Sequence, residues 1–319
     1  MENVLVTYDI PKKGINNLKK YFDVDINPDN KPLSKKYLLE NISDYYGVIT
    51  MLFDQIGEDI LDATKGNTEV IANYAVGYDN IDLQAAQEND ITICNTPGVL
   101  TNATAELAFA LMINITRKLL PADQYVRKGH FEGWRPKLFL GNELRNKTIG
   151  IFGMGRIGQS FAAKCQGFGT NLIYHNRSRL NPEIEKEYDA EYVSFPELIE
   201  TSDIISIHAP LTEQTRHTFD RNVFEQMKEG IYIINTGRGA IINEKDLAKY
   251  LENGQIEAAG LDVYEYEPHV TEELKNMDNV VLLPHIGSAS KYARESMSEM
   301  ASKAIIDVHK GREPANKVV

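Results

Sequence analysis

The sequence predicts an α/β protein of two doubly wound parallel-sheet domains, one of them interrupted in the chain by the other. Three observations predict it. Short apolar runs alternate with amphipathic stretches along nearly all 319 residues. The runs are apolar at consecutive rather than alternate positions, and the series restarts near residue 148 after a long helical segment. A strand apolar on both faces belongs in a sheet covered on both sides, which is the helix-connected parallel kind. A chain of this length also exceeds one ordinary core.

In the first series, strands are read at residues 4–8, 47–51, 70–73 and 91–94, with helices at 33–41, 55–63 and 83–88 between them. A long helix at 102–119 follows: Leu107, Leu111, Ile115 and Leu119 recur every four residues, and Thr101 or Asn102 is placed to cap it. The second series has strands at 148–152, 171–175, 204–208, 231–235, 258–263 and 280–283. A final helix at 290–310 carries the stripe Met297, Ala301, Ala304, Ile305 and Val308, and stops at Gly311 and Pro314. Such a terminal helix has to dock, and the first domain is the expected place. That gives one domain from residues 1–99 with 287–319, and a second from 100–286. The stretch 129–141 is the one irregular connection and holds the single tryptophan, Trp134.

Composition narrows the function. Apolar residues make up 42% and charged residues 25%, as in an ordinary globular protein. With 34 Lys plus Arg against 46 Asp plus Glu, the formal charge is −12, which argues against a general nucleic-acid or membrane-surface binder but not against an anionic substrate in a locally basic cleft. Cys94 and Cys165 stand in no metal-ligand spacing and read as reduced, partly buried thiols. No His, Cys and carboxylate grouping has metal spacing, so no metal is expected. The N-terminal residues lack a signal-peptide pattern, and no apolar stretch approaches the ~20 residues that cross a bilayer. A cytoplasmic protein is expected.

Gly153-Met154-Gly155-Arg156-Ile157-Gly158 follows the apolar run 148–152 and opens an amphipathic stretch carrying Phe161 and Cys165. A G-x-G-x-x-G alone is weak, but at a strand-to-helix junction with another strand arriving at 171–175 it reads as a Rossmann-type dinucleotide site. Helix N–H groups then face the pyrophosphate. The end of the next strand carries Asn176, Arg177, Ser178 and Arg179, with no carboxylate where an NAD-preferring site places one. Two guanidiniums and a hydroxyl suit a ribose 2′-phosphate, so NADP(H) is expected over NAD(H).

Three segments set charged residues beside strand ends and glycines: Asn235-Thr236-Gly237-Arg238-Gly239, Gly260-Leu261-Asp262 running on to Glu265-Tyr266-Glu267-Pro268, and Leu283-Pro284-His285-Ile286-Gly287. Strand carboxyl ends converge on the ligand crevice in such a sheet. At these residues the chain resembles the D-isomer-specific 2-hydroxyacid dehydrogenases, most closely the glyoxylate/hydroxypyruvate reductase branch. The resemblance also covers Ala75-Val76-Gly77-Tyr78-Asp79-Asn80-Ile81-Asp82, Asn95-Thr96-Pro97-Gly98 and His208-Ala209-Pro210-Leu211-Thr212.

The resemblance implies a dinucleotide domain inserted in a flavodoxin-like substrate domain, a homodimer, and Arg238, Glu267 and His285 as catalytic residues. It implies that Leu52 and the turn of Ala75, Val76 and Gly77 meet the substrate, with Arg238 and His285. It implies cofactor contacts at Thr104, Gly153, Gly155, Arg156, Ile157, Gly158, Asn176, Arg177, Ser178, Arg179, His208, Ala209, Pro210, Thr215, Thr236, Gly237, Arg238, Asp262, His285 and Gly287. The chemistry agrees with those roles. Hydride addition to a carbonyl builds negative charge on oxygen, histidine returns and donates a proton near neutral pH, and a guanidinium grips a carboxylate. Glu267 bonded to the ring would fix its orientation and favour imidazolium. His130, His217, His269 and His309 read as surface residues, and Glu265 is the rival to Glu267. The implied activity is reduction of a small 2-oxo acid such as glyoxylate or hydroxypyruvate to the D-2-hydroxy acid. The alternatives are a 2-ketogluconate reductase or a phosphoglycerate dehydrogenase of the same family, or a non-catalytic dinucleotide sensor. The long 102–119 helix and the Trp134 loop are the candidate dimer interface.

Overall fold

Runs of buried aliphatic residues become the strands, and the computed structural model, which describes residues 1–29 and 31–319, arranges them in two parallel sheets. In chain order the elements are β1 (Asn3–Val6), α1 (Lys12–Leu18), β2 (Asp23–Ile26), α2 (Lys35–Asn41), β3 (Gly47–Thr50), α3 (Glu58–Ala63), β4 (Val70–Asn73), α4 (Leu83–Glu88) and β5 (Thr92–Cys94). Then come α5 (Thr101–Arg117), α6 (Leu119–Arg127), β6 (Thr148–Phe152), α7 (Arg156–Gln166), β7 (Asn171–His175), α8 (Pro182–Tyr188), β8 (Ala190–Tyr192), α9 (Phe195–Thr201) and β9 (Ile204–Ile207). The chain ends with α10 (Arg221–Phe224), β10 (Ile231–Asn235), α11 (Glu244–Glu252), β11 (Ile256–Leu261), α12 (Glu272–Lys275), β12 (Val280–Leu282) and α13 (Lys291–His309).

Two compact units result: Met1–Leu100 with Ser288–Val319, and Thr101–Gly287. The first holds five parallel strands in the order β2-β1-β3-β4-β5. Its order reverses between β1 and β3, and a reversal of this kind opens a crevice at the strands' carboxyl ends. Helix α13 packs over β3 and β4 and against α1. There Gly14 is required, because a Cβ would lie 2.0 Å from the Ser298 carbonyl oxygen. The second unit holds seven parallel strands ordered β12-β11-β10-β9-β6-β7-β8, reversing between β6 and β9.

The structure corrects the element reading at α1, β2 and β8 and at both ends of the long helix. Helix α1 and strands β2 and β8 were not expected. Both strands lie at sheet edges, where half-polar residues suffice: β2 reads DVDI with no residue fully buried, and β8 is three residues long. The helix expected at 102–119 ends at Arg117, with Lys118 left-handed at φ 53° and α6 beginning beyond it. Pro121 explains the stop, since its ring would strike the carbonyl four residues back, that of Arg117. Asn102 is not a cap but an interior residue, its amide donating to Glu106 Oε1 at 2.6 Å. Helix α13, by contrast, starts at the capping Ser290, which accepts from the Ala293 N–H at 3.1 Å.

Candidate active site

In the second unit the fingerprint follows β6 and opens α7. Gly153 has φ +96°, and a Cβ there would lie 2.4 Å from the Ala209 nitrogen; one on Gly158 would lie 2.5 Å from the Gly153 carbonyl oxygen. The loop is therefore pressed onto the chain leaving β9, which brings His208, Ala209 and Pro210 beside it. Gly155 differs: nothing stands within 4 Å of its Cβ position, so the first turn of α7, with Arg156 exposed and Ile157 half-buried, faces open space. Asn176 closes the arrangement by accepting from the Met154 N–H at 2.6 Å. Thr215 closes the neighbouring turn, its hydroxyl accepting from the Thr212 N–H at 2.7 Å and donating to the Pro210 carbonyl at 2.8 Å. Thr236 Oγ1 is buried without a hydrogen-bond partner among the described residues. A buried hydroxyl left so is unusual, and with the open Gly155 cradle it fits a bound dinucleotide.

The arginines beyond β7 are not equivalent. Arg177 and Ser178 are exposed, and Arg177 meets no carboxylate among the described residues. Arg179 makes a bidentate pair with Glu185, both bonds 2.8 Å, and lies over the Tyr192 ring. Arg179 and the Tyr174 hydroxyl together hold the Glu185 carboxyl down at about 2.

Strands β10, β11 and β12 are neighbours, so the loops after them lie side by side at the carboxyl edge. Arg238 follows β10; its carbonyl accepts from the Asn235 amide at 2.9 Å, and that amide's oxygen accepts from the Gly237 N–H at 3.0 Å. Gly239 lets this loop lie flat on the next, because a Cβ would overlap the Tyr264 backbone at 1.8 Å. Glu267 Oε1 accepts from the Tyr264 N–H at 3.0 Å, and its Oε2 meets His285 Nδ1 at 2.8 Å. Both side chains remain about one-quarter exposed, at 24% for His285 and 28% for Glu267. Glu267, not Glu265, is thus the histidine's partner.

Asp262 is buried and accepts from the Ile286 and Gly287 N–H groups, each at 2.7 Å, fixing the residues that follow His285. Burial raises its carboxyl above the usual range, against the pull of those N–H bonds and of His285. Thr104 lies against Gly287, with its methyl 3.2 Å from that glycine's Cβ position. His208 bonds Ser206 Oγ at 2.8 Å, its ring packs on Phe161, and burial pushes it down to about 3, so it is neutral near pH 7.

Leu52, Ala75, Val76 and Gly77 belong to the other unit, at the carboxyl ends of β3 and β4. The carbonyls of the turn are committed to the protein: Ala75 accepts from the Thr96 N–H at 2.8 Å, Val76 from the Asn95 amide at 2.7 Å, and Gly77 from the Asn73 amide at 2.8 Å. Asn80 ties this turn to the Leu52 loop by donating to the Met51 and Asp54 carbonyls at 3.2 and 2.8 Å.

His217 is a correction. It is no free surface residue, since its Nε2 bonds Glu265 Oε1 at 2.8 Å. Glu265 is thus the partner of His217 rather than of His285. Glu244, which accepts from the Glu265 N–H, and Thr271, which donates to Glu244, were missed in the sequence, the only signal being Glu244 after Asn243 at a helix start, where an acid is ordinary. His130 and His269 are exposed, and His309 packs on Phe22 and Tyr46 while pairing with Glu2. Both cysteines are free and buried, the Cys94 thiol pushed up by burial to about 12. Among the described residues no His, Cys, Asp and Glu group could hold a metal, and no helix is long and apolar enough to cross a membrane.

Comparison with known proteins agrees with this geometry. Residues 109–287 match the model of the D-isomer specific 2-hydroxyacid dehydrogenase, NAD binding domain. The glyoxylate reductase of Thermococcus litoralis is 44% identical over 99% of this chain and 96% of its own. Among solved structures, a glyoxylate reductase from Paecilomyes thermophila superimposes with TM-score 0.90 at 34% identity, covering 99% of this chain and 98% of that one. An NADPH-dependent glyoxylate/hydroxypyruvate reductase from Sinorhizobium meliloti, in complex with NADP and malonate, gives 0.87 at 30% identity, covering 100% and 97%.

Proposed function

Because the chain belongs to the D-isomer-specific 2-hydroxyacid dehydrogenase family, and is an NAD(P)-dependent oxidoreductase acting as a 2-oxo acid reductase, we propose that it takes NADPH in preference to NADH and reduces glyoxylate and hydroxypyruvate to the D-2-hydroxy acids. The observation that carries the reading is the 2.8 Å bond between His285 and Glu267 at the carboxyl edge of the dinucleotide-binding sheet. With Nδ1 engaged by the carboxylate, Nε2 is the ring nitrogen left to give a proton to the carbonyl oxygen as charge grows there. Glu267 holds the ring in one orientation through that bond. Arg238 binds the substrate carboxylate and polarises the carbonyl. A nicotinamide dinucleotide, when bound, would supply the hydride.

The glycine loop and the unpartnered Thr236 hydroxyl would hold the dinucleotide, with Thr104, His208 to Pro210, Asp262 and Gly287 around it. The exposed Arg177 and Ser178 support a 2′-phosphate contact, and a relative solved in complex with NADP supports that choice of cofactor. Leu52 and the N–H groups of Ala75, Val76 and Gly77 are assigned to the substrate on the family pattern. That the carbonyls of this turn all serve the protein supports the assignment. Steady-state kinetics with both cofactors across glyoxylate, hydroxypyruvate, 2-ketogluconate and phosphohydroxypyruvate tests the reading. It expects the highest kcat/KM with NADPH and one of the first two. A preference for NADH, or for the sugar acid or phosphorylated acid, overturns it.

We also assign the chain to a homodimer. Helix α6 buries none of its residues, and the arm beyond it exposes Phe131, Trp134 (84% exposed) and Leu140, apolar surface that calls for a partner. Helix α5 packs into its own sheet and offers less. A monomer by light scattering at micromolar concentration would refute this.

A further inference from the structure

The turn that carries Glu267 is strapped from below by a residue with no part in the chemistry. Glu244 opens α11 and is only 2% exposed. Its Oε1 accepts from the Glu265 N–H at 2.6 Å, while Oε2 accepts from the Thr271 N–H at 3.3 Å and the Thr271 hydroxyl at 2.5 Å. One carboxylate thus grips residues 265 and 271, and Glu267 lies between them. The grip is reciprocal, since Glu265 Oε2 accepts from the Glu244 N–H at 3.2 Å while its Oε1 takes His217. Inside the turn, the His269 N–H donates to the Tyr266 carbonyl at 2.8 Å.

A carboxylate is an expensive group to bury, and a hydroxyl or amide would fill the space more cheaply. What it alone offers is two acceptor oxygens and no donor, aimed at N–H groups six residues apart. An amide in its place would turn an NH2 toward one of those N–H groups.

We propose that Glu244 is a positioning residue for the hydride-transfer reaction, acting through the 265–271 turn to hold Glu267 in register with His285, with Glu265 and His217 completing the strap. This rests on the catalytic reading of Glu267 and His285. Loosening the turn displaces Glu267, and a shift near 1 Å at a reacting group costs up to ~100-fold.

The test is a double-mutant cycle in the holoenzyme. Glu244→Gln is expected to lower kcat about tenfold while the NADPH dissociation constant, read by nucleotide fluorescence, moves less than about twofold. In a Glu267→Gln background the same change should cost under about twofold more, because the path it acts through is already gone. Thr271→Val, which removes one bond at a half-buried site, should show the same pattern at smaller size, and it decides the matter alone if Glu244→Gln does not fold. Equal losses in both backgrounds, or a parallel loss of NADPH binding, overturn the proposal. If Glu267→Gln is itself harmless, the catalytic reading fails; if it is crippling while folded Glu244→Gln keeps full kcat, only the strap fails.

Discussion

Along one carboxyl edge, the seven-stranded sheet uses two different materials. Around β6, β7 and β9 the backbone is shaped by what is absent: Gly153 and Gly158 let loops touch, Gly155 leaves space, and the charged Arg177 stands in solvent. Around β10, β11 and β12 the backbone is shaped by what is buried, because Asp262 and Glu244 each take N–H groups from a neighbouring loop. The first half is a mould for a ligand that brings its own charge. The second is a frame that must hold a histidine and a carboxylate at 2.8 Å before any ligand arrives. Substitutions should therefore fail differently in the two halves, by lost binding or lost folding in the first and by lost turnover in the second.

The largest effect belongs to the frame. His285→Ala should lower kcat by about a thousandfold or more, with NADPH binding changed less than about threefold, since the imidazole acts mainly in the transition state. Equal losses in turnover and in cofactor affinity would erase the contrast.

Next comes a split within the mould. Gly153→Ala puts a methyl 2.4 Å from the Ala209 nitrogen at φ +96°, and should cost roughly 2–4 kcal/mol, seen as a melting temperature lower by several degrees. Gly155→Ala meets nothing within 4 Å and should melt like the parent, yet bind NADPH more weakly, because the methyl enters the space a pyrophosphate needs. If both variants melt alike, or if Gly155→Ala binds normally, the loop is not a mould for phosphate.

How far each half could be read from sequence follows the same division. Glycines and apolar strands announce themselves: all five residues of β10 are buried, and Gly153, Gly155 and Gly158 sit where the pattern put them. His285 and Glu267 were legible through their family pattern, and their contact is found. The edge strands β2 and β8 were illegible because an edge needs little hydrophobic signal. The straps were illegible because a buried acid looks like any first-turn acid until its partners, 21 and 27 residues away in sequence, are seen. The two arginines after β7 looked alike, and only the fold returns Glu185 to one of them.

That asymmetry yields a smaller prediction. Arg177→Gln should raise the NADPH dissociation constant about tenfold and leave NADH within about twofold, as expected for one charge-assisted phosphate contact. Arg179→Gln should do less, since its guanidinium already serves Glu185. Matched losses for both cofactors, or a larger effect at Arg179, would show that these arginines do not read the phosphate in this way.

The smallest effect concerns His208, where the mould meets the sheet. Its ring is held down to about 3 by burial against an ordinary value of 6.5. Below pH 6.5 the unfolded chain therefore binds a proton that the folded chain refuses. The sign is unfavourable: stability is intact above the unfolded value and falls as the pH drops toward the folded one. Between pH 7 and pH 5.5 this group alone should cost about 1 kcal/mol. His208→Gln takes no proton in either state, so its melting temperature should fall less steeply over the same interval, although it starts lower at pH 7 through lost packing on Phe161. Parallel slopes for the two proteins would mean that the ring takes its proton inside the fold, and that the junction between glycine loop and sheet is wetter than its packing indicates.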